Sequence, residues 1–311
     1  MLSVFLVTLP FFALIGCGYL AGRFKVLPEA GAAGVNAFVF YFALPAMLFR
    51  IMSARPVTEV VPPDVLAVYG IATLALFVGG GLLGRALFGL RLGEGALMGQ
   101  ASTVTNSGFL GLPLIMAILG EAAAVPVGVV LMLDLLFFVP LSIAVLEVAR
   151  GDRVGALGVL RDLARGAFLN PFALSVGGGV AFSLVRVDLW APLDTFLSLL
   201  GSTAAPAALF ALGATLALRS PAGNMAVAWA ITGLKLVVHP LLIAGVLMAW
   251  GGADALWTHS LILVAALPVA GNVFLVARQF GLFVERSSTA ILISTAVAVV
   301  SFPLVAGLLA D

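Results

Sequence analysis

The sequence predicts an all-α membrane protein of ten transmembrane helices, arranged as two inverted five-helix repeats. Three observations lead to this fold class. The 311 residues are 63% hydrophobic and 9% charged, with a mean hydropathy of +1.23, whereas soluble domains are about half apolar and a quarter charged. Apolar runs of about 20 residues, long enough to cross a bilayer, recur along the chain. Short segments of the first half also reappear in the second half.

Charged and turn-rich breaks separate ten apolar spans. The predicted spans are 1–22, 31–50, 65–90, 95–119, 124–148, 168–186, 192–218, 225–250, 259–280 and 287–309. Residues 1–148 therefore form the first repeat, 149–167 a cytoplasmic linker and 168–311 the second repeat.

The distribution of lysine and arginine predicts the orientation, because short cytoplasmic loops are enriched in these residues. Eleven cationic residues fall in odd-numbered connections: Arg23, Lys25, Arg85, Arg91, Arg150, Arg153, Arg161, Arg165, Arg219, Arg278 and Arg286. The even-numbered connections hold Arg50, Arg55 and Arg186. We therefore expect a multi-pass protein of the cell inner membrane with both termini on the outer, periplasmic side.

The internal duplication is read from three ordered matches at an offset of about 160 residues. FALIGCGYLA from Phe12 matches FALSVGGGVA from Phe172, and the Pro45 to Phe49 segment matches the segment from Pro206. Pro140 pairs with Pro303 in the same order. Since each half has an odd number of spans, the second half must enter the membrane in the opposite direction. Inverted repeats of this kind are typical of secondary transporters.

Spans four and nine carry matched proline, glycine and small polar residues near their middles. Proline and glycine weaken a helix, so both spans are predicted to break near the midplane, where irregular backbone persists only if it is buried or lines a cavity. Helix N-termini at such breaks attract anions. The alternative is that these residues only kink helices and allow close packing. The candidate substrate-binding residues are Thr105, Asn106, Ser107, Gly108, Gly111, Pro113, Pro268, Gly271 and Asn272.

Two motifs in these spans are similar to those of the auxin efflux carrier family. One is the N-x-x-x-x-G-x-P pattern from Asn106 to Pro113, and the other is ALP-x-A-x-N-x-F-x-x-A from Ala266 to Ala277. The resemblance implies ten helices, a scaffold domain, a transport domain in which spans four and nine cross, and an anionic substrate near the crossing. Plant carriers have proline where this chain has Thr105, so auxin itself is not implied.

Three ionisable residues, Asp134, Lys235 and His239, fall well inside predicted spans, where a charge is costly and marks a functional candidate. We expect Asp134 to exchange protons, with Lys235 as its counter-ion or as a positive charge facing the anion. The alternatives are a fixed Asp134–Lys235 pair, a Lys235 that snorkels to an interface, and a His239 that serves only helix packing.

The function expected from these features is secondary active transport of a small organic anion such as a malonate-like or auxin-like carboxylate. A sodium-coupled anion symporter, a cation/proton antiporter and a non-transporting membrane sensor remain alternatives. No paired carboxylates, activated nucleophile or metal-ligand cluster indicates an enzyme, no cofactor is expected, and the net charge of +1 argues against nucleic acid. The expected partners are the bilayer, the anion and a coupling proton or sodium ion; a homodimer stays open.

Overall fold

A computed structural model describes residues 2–54, 62–151, 170–185, 189–218 and 223–310 of the chain. Helices account for nearly all of these residues, and the described ranges contain one isolated β-bridge and no strand. The chain is therefore all-helical in the part that the structure describes. The predicted linker 149–167 lies outside the described residues from position 152 onward, as do Arg55, Arg186 and Arg219.

We number the α-helices along the chain, and short π-helical turns join some of them. The first half contains α1 (Leu2–Arg23), α2 (Glu29–Phe38), α3 (Leu44–Ser53), α4 (Pro63–Phe88), α5 (Leu92–Thr103), α6 (Leu112–Leu119), α7 (Ala124–Leu133) and α8 (Val139–Arg150). The second half contains α9 (Pro171–Val185), α10 (Ala191–Ser202), α11 (Ala204–Ala217), α12 (Met225–Gly233), α13 (His239–Trp250), α14 (Ala255–Ala265), α15 (Asn272–Phe280) and α16 (Val284–Ala310).

Seven continuous helical stretches in the described residues are long and apolar enough to cross a membrane. They correspond to all the predicted spans except four, six and nine. Those three contain shorter apolar helices, Ser107–Leu119, Pro171–Val185 and Ala255–Ala265. The protein is thus a multi-pass membrane protein, while ten complete crossings remain a prediction.

Four π-helical turns precede a proline by the same spacing. The turns are Val39–Ala43, Ser107–Gly111, Asp134–Phe138 and Leu234–Val238, and the prolines are Pro45, Pro113, Pro140 and Pro240. Proline has no N–H and its ring clashes with the carbonyl one turn earlier, so the preceding turn widens instead of breaking. Such π-bulges are frequent at functional sites.

Glycines allow two pairs of helices to approach closely. Gly18 of α1 contacts the backbone of Phe210 on α11, and Gly213 of α11 contacts the backbone of Ile15 and Tyr19. In the second pair, Gly179 of α9 lies against Phe49 of α3. Close approach through small residues is the usual way that helices associate in lipid, so these contacts hold helices from the two halves together.

Candidate functional site

Two helices of the membrane region are interrupted by short non-helical segments, each with an extended stretch at its centre. The first segment, residues 104–106, separates α5 from the helical run that begins at Ser107. The second, residues 266–271, separates α14 from α15. In span four the interruption therefore precedes Gly111 and Pro113, and the π-helical turn Ser107–Gly111 accommodates the missing N–H of Pro113.

The two extended segments run antiparallel and pair with each other. Thr105 lies opposite Val269 in the isolated bridge. The Asn106 N–H donates to the Pro268 carbonyl at 3.1 Å, and the Ala270 N–H donates to the Val104 carbonyl at 3.3 Å. Each segment therefore satisfies backbone groups of the other, as buried backbone requires.

Side chains satisfy the remaining N–H groups of the two central residues. The Thr105 N–H and hydroxyl both donate to Oδ2 of Asp134, at 3.1 and 3.0 Å. The Val269 N–H donates to the hydroxyl of Ser294 at 3.2 Å. A side chain from a neighbouring helical element thus supports each half of the crossing.

A cavity of about 550 Å³ opens beside the crossing. Its size lies within the range of small-molecule sites, which are mostly apolar with a few polar groups. Among the described residues, no charged side chain belongs to the lining. It consists of Ala33, Asn36, Ala37, Phe40, Tyr41, Thr105, Asn106, Gly108, Phe109, Leu131, Leu135, Phe172, Leu212, Thr215, Leu216, Ala270, Gly271, Asn272, Leu275 and Ile291.

The cavity wall includes five of the nine predicted substrate-binding residues: Thr105, Asn106, Gly108, Gly271 and Asn272. The other four, Ser107, Gly111, Pro113 and Pro268, are not part of the lining. Instead, the Ser107 hydroxyl donates to the Thr105 carbonyl at 3.5 Å, and a Cβ at Gly111 would lie 2.5 Å from the Leu267 side chain. These positions shape the crossing behind the wall.

Two helix N-termini meet the cavity. Gly108 and Phe109 belong to the helical run that begins at Ser107, while Gly271 and Asn272 begin α15. The first N–H groups of a helix lack partners within it and carry partial positive charge. The Asn272 side-chain oxygen is buried and accepts no hydrogen bond from the described residues. The neutral wall thus offers positive potential and amide groups without a cationic side chain.

Two contacts at the cavity wall join the first half of the chain to the second. The residues that make them were not among the predicted substrate-binding residues. The Asn36 amide on α2 donates to the Thr215 hydroxyl on α11 at 3.0 Å. Phe40 and Phe172 stack edge to face, with ring centroids 4.7 Å apart. A polar residue inside an apolar span is the signal that marks Asn36 and Thr215, whereas nothing distinguishes these two phenylalanines from the 20 others in the chain.

The three membrane-embedded ionisable residues are buried but do not line the cavity. Lys235 Nζ donates to the Ala265 carbonyl at 2.6 Å and lies 3.2 Å from His239 Nδ1. Nε2 of His239 lies 3.3 Å from the Thr73 hydroxyl. Asp134 and Lys235 are not among the described ion pairs. Each instead contacts backbone at an interruption: Asp134 at Thr105, and Lys235 at the end of α14.

Comparison with known proteins gives matches along nearly the whole chain. A family model described as "Membrane transport protein" matches residues 3–306. A protein of Rhizobium meliloti (strain 1021) named "Putative malonate transporter" is 36% identical over 295 residues, covering 94% of this chain and 91% of that protein. "Auxin efflux carrier component 8" of Arabidopsis thaliana is 24% identical over 351 residues, covering 94% of this chain and 93% of the carrier.

A third relative is the "Lysosomal cholesterol signaling protein" of Mus musculus. It is 27% identical over 310 residues, which cover 91% of this chain but 35% of that longer protein. The matching region in all three relatives spans both predicted halves and includes the crossing.

Proposed function

The chain belongs to the membrane transport protein family, also called the auxin efflux carrier family, and from that premise we propose that it carries a small organic anion across the cell inner membrane. Transport is secondary and proceeds by alternating access. The observation that carries this proposal is the convergence of two helix N-termini and two asparagines, Asn106 and Asn272, on one neutral cavity.

The anion is a carboxylate bound at the crossing. The N–H groups at Gly108 and Gly271 and the side-chain amides of the two asparagines can donate to its oxygens. Dipole ends of this kind stabilise a negative charge without direct contact to a cationic side chain, so the site can also release the substrate. Phe40, Phe172 and the aliphatic wall contact the carbon skeleton. The name of the Rhizobium relative makes malonate the first carboxylate to test.

The proposed architecture has ten spans in two inverted repeats. Support comes from helix pairs that exchange roles between the halves: α1 of the first half packs on α11 of the second, and α9 of the second packs on α3 of the first. The antiparallel pairing of 104–106 with 268–270 has the same approximate two-fold relation. Such a relation is what lets two repeats exchange conformations around a central site.

In this arrangement the two termini lie on the periplasmic side and 149–167 is a cytoplasmic linker. The first repeat covers 1–148 and the second 168–311. Spans one, two, six and seven form a scaffold, and the remaining six form the transport domain that holds the crossing. Alternating access moves that domain against the scaffold, because the cavity lies between α2 and α11 on one side and the crossing on the other.

A second candidate function is sensing without transport. The observation that favours it is the similarity to a murine protein whose name describes signaling. A sensor uses the same cavity and binds the same class of ligand, but it does not fill vesicles.

Counterflow in proteoliposomes tests both functions. The test uses a panel of mono- and dicarboxylates that includes malonate. Vesicles are loaded with one unlabelled compound and then diluted into buffer that contains the same compound with a label. A carrier accumulates label transiently; a sensor binds the compound in a thermal-shift measurement without accumulation. Absence of both responses across the panel contradicts the proposed function.

Alanine variants then test the site. Asn106→Ala and Asn272→Ala each remove an amide from the cavity wall and should lower affinity at least tenfold, since one hydrogen bond to a charged group contributes about 1.5–3 kcal/mol. Asn224→Ala is the matched control, because Asn224 caps α12 away from the cavity. Wild-type affinity in both cavity variants would show that the anion binds elsewhere.

A further inference from the structure

Asp134 and Lys235 are buried beside the crossing but do not line the cavity, so anion binding in the cavity does not account for them. On the basis of the proposed function, we propose that Asp134 is a proton-binding site that couples anion movement to proton movement, with Lys235 as the fixed positive charge that balances the bound anion. Both lie outside the cavity wall, so proton and anion occupy different sites and communicate through Thr105.

Only one oxygen of the Asp134 carboxyl group is hydrogen-bonded. Oδ2 accepts both hydrogen bonds from Thr105, while Oδ1 is buried and has no partner among the described residues. A charged carboxylate in this setting has one unsolvated oxygen, which is unfavourable. A proton on Oδ1 removes that charge and leaves both hydrogen bonds to Oδ2 in place. The geometry therefore provides a specific atom for the proton.

The other half of the crossing shows that this position does not require a carboxylate for structural reasons. The Val269 N–H occupies the place in its segment that the Thr105 N–H occupies in the first, and the neutral Ser294 hydroxyl satisfies it. An amide at position 134 would still offer an oxygen to the Thr105 N–H. Burial of an ionisable acid is thus an additional feature of the first half, and buried ionisable groups in membranes mark ion and proton pathways.

Lys235 is held as a cation. Its ammonium donates to the Ala265 carbonyl, the last residue of α14, where the helix dipole favours positive charge. Because an ammonium has no acceptor, Nδ1 of His239 must accept from it and Nε2–H must donate to Thr73. His239 is then a neutral imidazole. Asp134 and Lys235 are the only formal charges in this cluster.

The charges of this cluster and of the substrate determine the coupling. With Asp134 ionised and the cavity empty, Asp134 and Lys235 sum to zero. A monovalent anion alone gives this buried cluster and its cavity one net negative charge, and a proton alone gives one net positive charge. When both bind, the sum returns to zero. A net charge in the hydrocarbon region is costly. The transport domain therefore moves between the two sides of the membrane only when it is empty or when it holds both the anion and the proton. One proton is thus transported with each monovalent anion.

Thr105 links the two sites. It lines the cavity, and its hydroxyl donates to Asp134 Oδ2 at 3.0 Å, so anion binding at the cavity wall and protonation of Asp134 act on the same side chain. The titratable groups that face Asp134 from the surrounding elements are Lys235 and Tyr69, with His239 behind Lys235. Among the described residues, these are the groups whose charge acts on the proton site.

The test uses proteoliposomes of the full-length protein with a pH-sensitive dye in the lumen. The probe is the labelled compound that the counterflow screen selects, supplied in its singly charged form: a monocarboxylate, or malonate at a pH at which one of its carboxyl groups is protonated. Inward anion movement should acidify the lumen, and an inward proton gradient of one pH unit should give about tenfold accumulation of a monovalent anion at equilibrium. Active counterflow without either response overturns proton coupling and leaves the proposed function intact, whereas absence of counterflow contradicts the proposed function itself.

Asp134→Asn assigns the coupling to this residue. Asparagine keeps an oxygen for Thr105 but cannot release a proton, so the variant should retain counterflow, lose the lumen acidification and accumulate no anion from a pH gradient. Retention of gradient-driven accumulation in this variant overturns the assignment.

Two controls separate charge from structure. Ser294→Ala removes the equivalent hydrogen bond in the second half and should leave the ratio of protons to anions unchanged. Asp194→Asn removes a carboxylate from the half-exposed pair with Arg50 and should do the same. If Asp134→Asn does not fold, Thr105→Val provides the test. This variant removes the hydroxyl that donates to the ionised carboxylate, so the pH of half-maximal uptake should move upward. An unchanged pH dependence overturns the proposal.

Discussion

Replacement of Gly213 by alanine tests the helix contact that joins the two halves. A Cβ at Gly213 of α11 would overlap the Ile15 carbonyl oxygen on α1 and would lie 2.8 Å from both the Ile15 carbonyl carbon and the Tyr19 nitrogen, whereas ordinary contacts begin at 3.4 Å. Because the obstructing atoms are backbone and the carbonyl oxygen is the nearest of them, α1 and α11 must separate by more than the roughly 0.6 Å that the two 2.8 Å contacts alone require. A gap of 0.5–1 Å removes roughly a quarter to a half of the dispersion energy of each contact.

The expected cost is about 1–3 kcal/mol, the usual range for overpacking a well-packed interface. Gly245→Ala and Gly177→Ala are matched controls: both glycines lie inside helices, and a Cβ at either position meets no atom within 4 Å. Those variants should gain helix propensity, up to about 1 kcal/mol.

Thermal unfolding in detergent, followed by helical circular dichroism and by recovery of monodisperse protein, compares the three variants. Gly213→Ala should melt below wild type, and both controls should melt at or above it. If Gly213→Ala melts with the controls, α1 and α11 do not make backbone contact, and the proposed pairing of helices between the halves loses its main support.

Two further predictions concern contacts on the predicted cytoplasmic side. Arg150 donates to the Phe280 carbonyl at the end of α15 and lies over the Phe280 ring. Arg150→Met should therefore lower the local stability of α15 by about 0.3–1 kcal/mol and raise the hydrogen exchange of its amides. Unchanged exchange would contradict this capping role. Glu94 and Arg286 form a partly exposed ion pair between α5 and α16, and a double-mutant cycle should give a coupling energy of about 0.2–1 kcal/mol that declines with added salt. A salt-independent coupling would exclude an electrostatic origin.

The helices were predictable from the sequence because hydropathy is a local property. Seven predicted spans appear as continuous helical stretches, and spans four and nine each contain an interruption. The location within span four was less predictable. Gly111 and Pro113 indicate a break at their own positions, but the chain accommodates them in a π-helical turn and the start of α6, and leaves the helix at Val104.

The site was only partly predictable, since its geometry depends on contacts between distant residues. Asn106 and Asn272 were identified because polar groups beside helix breakers form a local pattern. The Asn36–Thr215 hydrogen bond joins positions 179 residues apart. Likewise, the sequence suggested that Asp134 and Lys235 could pair, whereas in the structure each contacts backbone at a different interruption. The sequence around a buried charged residue does not predict which backbone group will form a hydrogen bond with it.

The antiparallel joint between residues 104–106 and 268–270 has a consequence for how new selectivities can arise. Main-chain atoms make the pairing, so it places little demand on which side chains these residues carry. If the anion binds as proposed, substitutions at Thr105 or Asn106 alter which substrate is recognised while the backbone hydrogen bonds between the two halves persist. A single scaffold can in this way diversify across many solutes through a few exchanges at its centre.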